Sequence, residues 1–218
     1  MVGRKTKKLN LERELPEGLL VDATWLRQHH ISRQLGHHYA SSGVLEQLIP
    51  RVFRRPRGPL TWQHVVVSLQ SQLRLPLIVG GRTALELQGY AHYLSRNTTE
   101  VHLYGPKRPP SWVNKLRIGA RFSYHNDRKL FRKEAVKPNL PGLDWKPDEK
   151  DAVQDTLTIL PWGQWNWPLT VSSAERAILE MLDELPRHET FHQADMLMEG
   201  LATLSRGGCK SFSKTAVA

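Results

Sequence analysis

Cysteine is almost absent: the 218 residues contain one, Cys209, which excludes an internal disulfide and a thiolate metal cage. No apolar run approaches the length that spans a bilayer. The opening MVGRKTKKLN carries basic residues with no apolar segment behind them, so it does not read as a secretory signal. These absences point to a reducing cytoplasm, where Asn97-Thr98-Thr99 is an accident of polar loop composition rather than a glycosylation site. At 39% hydrophobic, the chain can build one large or two modest domains.

Acidic residues are scarce where basic ones gather. The net charge of +10 divides into +6 over residues 1–60, +8 over 61–150 and −4 over 151–218. A surplus confined to the front two thirds implies a polyanionic partner there, without choosing among DNA, RNA and an acidic protein.

The run from Val21 to Arg55 supplies that choice. Asp22 is a natural N-cap for a helix with Leu26 turned inward, which should stop near His30. Ile31 then reads as a buried plug in a tight turn. Ser32 can cap a second helix that runs to about Ser42, with Gly43 as its left-handed terminator. This is helix-turn-helix spacing. At 3.6 residues per turn Leu35, Tyr39 and Ser42 share one face, and Arg33, Gln34, His37, Ala40 and Ser41 lie roughly opposite. Arginine pairs bidentately with guanine and glutamine with adenine, so Arg33, Gln34 and His37 are the base-edge candidates, flanked by Ser32 and Ser41. Beyond Gly43, Val44–Ile49 and Arg51–Arg54 are short strands joined at Pro50, a wing bearing Arg51, Arg54, Arg55 and Arg57. Those arginines would grip phosphate, with Arg4, Lys5, Lys7 and Lys8 as an added arm. The alternative is a solvated basic linker.

Pro56-Arg57-Gly58-Pro59 cannot continue a strand or helix and marks a boundary. Beyond it the pattern predicts a helix over Thr61–Gln72, a strand at Leu77–Val79, a helix over Thr83–Gln88 and a strand at Glu100–Tyr104. A short helix at Pro109–Leu116 and strands at Arg121–Tyr124 and Leu157–Leu160 follow. Ser172-Ser173-Ala174-Glu175 matches a capping box ahead of Ala177, Ile178, Met181, Leu182 and Leu185. Phe191, Ala194, Leu197, Met198 and Leu201 mark another amphipathic helix.

The phrase LIVGGRTALELQGYAHYLSRNTTEVHLYGP, Leu77 to Pro106, resembles the signature of the AbiEi-type antitoxins of bacterial type IV toxin-antitoxin systems. LTVSSAERAILEMLDELP, Leu169 to Pro186, and the stretch ending MEGLATL, Met198 to Leu204, are also similar to that family. The resemblance spans about Leu15 to Leu204. It implies a winged-helix autorepressor that binds inverted repeats of double-stranded DNA in its own promoter. It also implies a C-terminal domain that neutralises a nucleotidyltransferase-like toxin encoded alongside, with no membrane association. The expected architecture is α+β: a winged helix-turn-helix over residues 1–58, then a mixed α/β antitoxin-like domain over 59–205, a degenerate nucleotidyltransferase-like fold. Residues 206–218 read as an irregular tail, which a shift of reading frame near Arg206 would explain.

Two enzyme readings compete with this. Strand, Gly80-Gly81, helix and acid-bearing strand is how nucleotidyltransferases arrange their site, with backbone amides on the triphosphate and carboxylates at i and i+2 holding divalent metal. Here the strand offers Glu100-Val101-His102, one carboxylate only, so no catalysis, cofactor or metal is expected. His188-Glu189-Thr190-Phe191-His192 matches the zinc-protease pattern, but Pro186 precedes it closely and no third ligand follows at a usual distance. The doublets His29-His30 and His37-His38 point about 100° apart on a helix and chelate poorly. In PWGQWNWPL, Trp165 and Trp167 alternate as if on one strand face, with packing or a partner surface as the alternatives for the tryptophans.

Overall fold

The structure is a computed structural model that describes residues 9–90, 98–132, 135–137, 139–146, 154–186, 189–192 and 194–195. The expected basic arm, Cys209 and the irregular tail all lie outside these residues, as does the predicted C-terminal helix beyond residue 195.

The front of the molecule is built by caps. A helical turn, α1 (residues 9–14), leads to β1 (Leu20–Asp22) and α2 (Ala23–Gln28). Asp22 Oδ1 accepts from the amides of Thr24 (2.9 Å) and Trp25 (2.8 Å), which satisfies two of the four donors a helix start leaves open. His30 turns the chain at positive φ and Ile31 is buried behind it. Ser32 Oγ then accepts from the Leu35 amide at 3.2 Å to start α3 (Arg33–Ser41), which Gly43 ends at φ +74°. β2 (Glu46–Ile49) and β3 (Val52–Arg54) form an antiparallel hairpin, and β1 joins its far side in a three-stranded sheet of order β1-β3-β2. β1 was not anticipated. Three residues with no polar alternation carry too little periodicity to register as a strand.

α4 (Trp62–Val67) and a π-helical turn at Ser68–Gln72 splice this sheet to the next. Ser68 Oγ accepts from the Leu20 amide of β1 at 2.8 Å. The buried amide of Gln70 donates to the carbonyls of Leu77 (2.9 Å) and Thr170 (2.8 Å) and accepts from the Thr170 amide at 3.0 Å. It stands in for a stretch of backbone between two strands.

The second sheet is five-stranded and mixed, in the order β6-β5-β4-β8-β7. Its strands are β4 (Ile78–Val79), β5 (Glu100–Gly105), β6 (Arg121–Asn126), β7 (Leu157–Trp162) and β8 (Trp167–Ser172). β4 runs antiparallel to β5 and parallel to β8, and β5 runs parallel to β6. Helices α5 (Gly81–Leu87) and α6 (Ala174–Asp183) pack against each other, and one continuous apolar core joins both sheets. Between Pro109 and Leu116 the described helix is a single 3₁₀ turn, Val113–Lys115, because Asn114 is held by the backbone of Phe122 in β6.

The tryptophan reading is corrected. Trp162 ends β7 and Trp167 begins β8, facing each other across a hairpin, while Trp165 lies in the turn and stacks on Trp167 with centroids 5.0 Å apart. His64 of α4 meets Trp162 edge-on at 4.7 Å and packs against Gly18, so this cluster seals the junction between the two sheets. The Nδ1 atom of His64 accepts from the Thr61 amide at 3.2 Å. Burial, and then the charge of Arg54, hold the imidazole pKa below its usual value. The folded state therefore prefers neutral His64, and its stabilising effect is complete above the unfolded imidazole pKa and declines as pH falls through it. Denaturation of the parent and of His64→Gln between pH 8 and pH 5 should show a larger acid-side loss of stability in the parent.

Candidate nucleic-acid interface

The outward face of α3 and the wing enclose one concavity of about 680 Å³, lined by Thr24, Arg27, Ser32, Arg33, His37, Gln47 and Arg51 among others. Arg33, Gln34, His37 and Ser41 are exposed along α3; Tyr39 is buried on the opposite side, and buried Gly36 lies at the floor of the concavity. Ser32 is exposed but its hydroxyl serves the helix cap, and Ser41 Oγ donates to the His38 carbonyl at 3.0 Å. Arg51 sits at the wing turn with φ +70°, its side chain exposed and its carbonyl accepting from the Ala23 amide at 2.9 Å. That bond ties the tip of the wing to the first turn of α2.

The four wing arginines separate into two kinds. Arg51 faces solvent, whereas Arg54 is 8% exposed and pairs with Glu46 at 2.5 Å. Arg55 donates to the carbonyls of Glu12 and Leu15, both at 2.9 Å, and pairs with Glu17 at 3.2 Å. Arg57 shares Glu17 at 2.8 Å and lies over the Trp165 ring at 4.3 Å. Three of the four thus fasten the wing sheet to its surroundings. Acidic partners up to 40 residues away decide this, and local spacing does not display them. Arg27 and Gln47 also line the concavity and were missed; the signal for Arg27 was its place in the last turn of the first helix.

In the second sheet, Gly80-Gly81 does open a helix between β4 and β5. The anionic group at this turn is the chain's own Glu180, whose Oε2 accepts from the Gly81 amide at 2.9 Å and from Ser172 Oγ at 2.7 Å. A Cβ on Gly80 would collide with Glu180 and Tyr104, which is why glycine is needed there. Burial raises the Glu180 pKa, against the opposing pull of Arg176 at 2.8 Å. Arg176 is itself fully buried and reaches Asp127 at 3.4 Å. Glu100 bonds to Ser123 Oγ, which together with nearby cations holds its carboxyl below the ordinary range. The i+2 place belongs to buried His102.

Of the zinc-protease pattern, Glu189 and His192 lie among the described residues. His188 lies outside the described residues, His192 is exposed, and Glu189 is turned inward to Arg82 at 3.4 Å and His102 at 3.5 Å. Among the described residues, no three His, Cys, Asp or Glu side chains converge as cation ligands.

A family model described as the AbiEi antitoxin N-terminal domain, a transcriptional regulator, matches residues 4–96, and one for the AbiEi antitoxin of type IV toxin-antitoxin systems matches 98–212. The chain belongs to the AbiEi antitoxin family. No curated protein matches it significantly. As a member of the AbiEi family it is a transcriptional-regulator type of antitoxin, and its α+β fold with a winged-helix front suits that class. Among the described residues no helix is long and apolar enough to cross a membrane. The family's two models divide at residues 96 and 98, so β4 and α5 fall in the first although β4 is a strand of the five-stranded sheet and α5 packs on α6.

Removing Arg176 would leave Asp127 and Glu180 buried without their shared cation. Arg176→Ala should lower the unfolding free energy by about 3–5 kcal/mol, measured by urea denaturation.

Proposed function

We propose that this AbiEi-family chain binds double-stranded DNA at inverted repeats in its own promoter and represses its operon, inserting α3 into the major groove. The observation that carries this reading is the shared concavity: Arg33 and His37 from the helix and Arg51 from the wing line one opening, with Gln34 exposed beside them. Arg33, Gln34 and His37 read base edges, Ser32 and Ser41 flank them, and Arg51 holds phosphate. Arg54, Arg55 and Arg57 support the wing rather than the duplex. In this reading residues 1–58 are the recognition unit, the antitoxin domain begins at 59, and the protein works in the cytoplasm.

Anisotropy titrations with a promoter duplex provide the test. Arg33→Ala combined with Gln34→Ala should weaken binding by about 30- to 20,000-fold, since each of the two bidentate base pairings removed costs roughly 1–3 kcal/mol. Arg51→Gln should reduce the dependence of affinity on salt by about one phosphate contact, and Arg54→Gln should leave that dependence unchanged. Unaltered binding by the double variant would refute the recognition-helix assignment.

The domain behind the wing neutralises a nucleotidyltransferase-like toxin and performs no catalysis of its own. Two features support a non-enzymatic reading: Glu180 takes the Gly81 amide that a substrate phosphate would need, and His102 stands where a second metal-binding carboxylate would. When the toxin encoded alongside is co-expressed, this chain should restore growth, and the Arg33→Ala, Gln34→Ala variant should do so equally. Failure of the parent chain to rescue growth would sink this assignment and leave the DNA reading standing.

A further inference from the structure

α3 carries a glycine that the fold does not require. Gly36 sits inside the helix Arg33–Ser41, its φ lies outside the left-handed region, and its amide donates to the Ser32 carbonyl at 2.9 Å in an ordinary helical bond. A Cβ added to it would meet Leu26 Cδ1 at 3.6 Å, a normal van der Waals contact. Glycine inside a helix costs stability relative to alanine, because it has more backbone freedom to lose. At Gly80 a collision with Glu180 and Tyr104 accounts for the residue, whereas at Gly36 neither backbone conformation nor packing does. The remaining use of a missing side chain is to let something approach the helix closely from outside.

What approaches is set by the walls of the concavity. Gly36 lines it one turn after Arg33 and next to His37. Leu26, Ile31 and Phe53 line the same space, each no more than 5% exposed, so apolar atoms form its floor beside the side chains assigned to base edges. Along the major groove, base pairs present hydrogen-bonding groups and a single apolar one, the C5-methyl of thymine. We propose that the notch at Gly36 is a thymine site, in which that methyl enters over the glycine and packs on Leu26 while Arg33 and His37 bond to adjoining base edges. Exposed Arg27 of α2 and Arg51 of the wing line the concavity too and suit the phosphates beside that base pair. The inference rests on the DNA reading above and adds to it the identity of one base that the helix must meet.

Uracil differs from thymine only by the methyl, so a scan of the promoter half-site that replaces its thymines one at a time by uracil tests the site. With the full chain and anisotropy as the readout, one position should lose about fourfold in affinity, the worth of one buried methyl-sized group. Gly36→Ala should raise Tm by about 2–4 °C, because the helix gains and nothing in the chain collides. The same variant should bind the thymine duplex more weakly, on the order of tenfold, because its own methyl takes the place of the base's. On Gly36→Ala the order of the two duplexes should reverse, with uracil at that position binding better than thymine, an inversion that a damaged helix cannot produce. Should this variant fail to fold, the uracil scan of the parent chain decides alone. If no thymine shows the loss, or if Gly36→Ala weakens both duplexes alike, the thymine site is overturned while recognition by Arg33 and Gln34 stands. A parent chain that binds no promoter duplex overturns the DNA reading itself, and the site with it.

Discussion

The segment Ser68–Gln70 is the splice on which both halves of the molecule depend. β4 and β8 are parallel neighbours, yet the paired register between them comes down to Val79 with Val171. Below that point the carboxamide of Gln70 bridges the Leu77 carbonyl and both backbone groups of Thr170. Just before it in the same segment, Ser68 takes the Leu20 amide of the front sheet. One short helical segment thus satisfies backbone donors and acceptors in both sheets, where an unmade buried hydrogen bond costs on the order of 1–3 kcal/mol. The π-helical turn at Ser68–Gln72 brings both side chains into place, which accounts for the departure from regular α geometry there.

What the sequence displays and what it hides divide along range. Asp22, Ser32 and Gly43 act on amides within a few residues, so the helix-turn-helix was readable down to its caps. The capping serine ahead of α6 was readable for the same reason: Ser173 accepts from the Arg176 amide, three residues on. The partners of Arg54, Arg55 and Arg57 were not, because Glu46 lies across a hairpin and Glu17 some 40 residues back. A run of arginines looks the same from sequence whether it grips phosphate or closes a junction. Leu182 makes the same point for apolar residues: it fits the periodic stripe of α6 yet is exposed. β8 escapes the periodicity because a strand buried along its whole length shows no alternation.

The Gly80-Gly81 turn sets the amide of a helix start against a carboxylate. Strand, turn and helix keep the arrangement that presents an amide to an anion, and the anion is now a carboxylate of the same chain. Glu180 cannot be removed lightly, because it also answers Ser172 and Arg176 in a fully buried network that extends to Asp127. The turn serves the packing of α6 here, and on β5 His102 makes contacts with His125 and Glu189. In this chain the polar interior of the second sheet ties α5 and α6 to the strands beneath them.

The bond from the Ala23 amide to the Arg51 carbonyl has one more consequence. Because the hairpin tip and the entry to α2 are pinned to each other, helix pair and hairpin tilt together as a single yoke. Under the DNA reading proposed above, a duplex whose curvature or groove width did not suit the span between them could not be accommodated by bending one prong alone. Discrimination among sites would then extend to base pairs that no side chain touches, through the stiffness of the DNA itself.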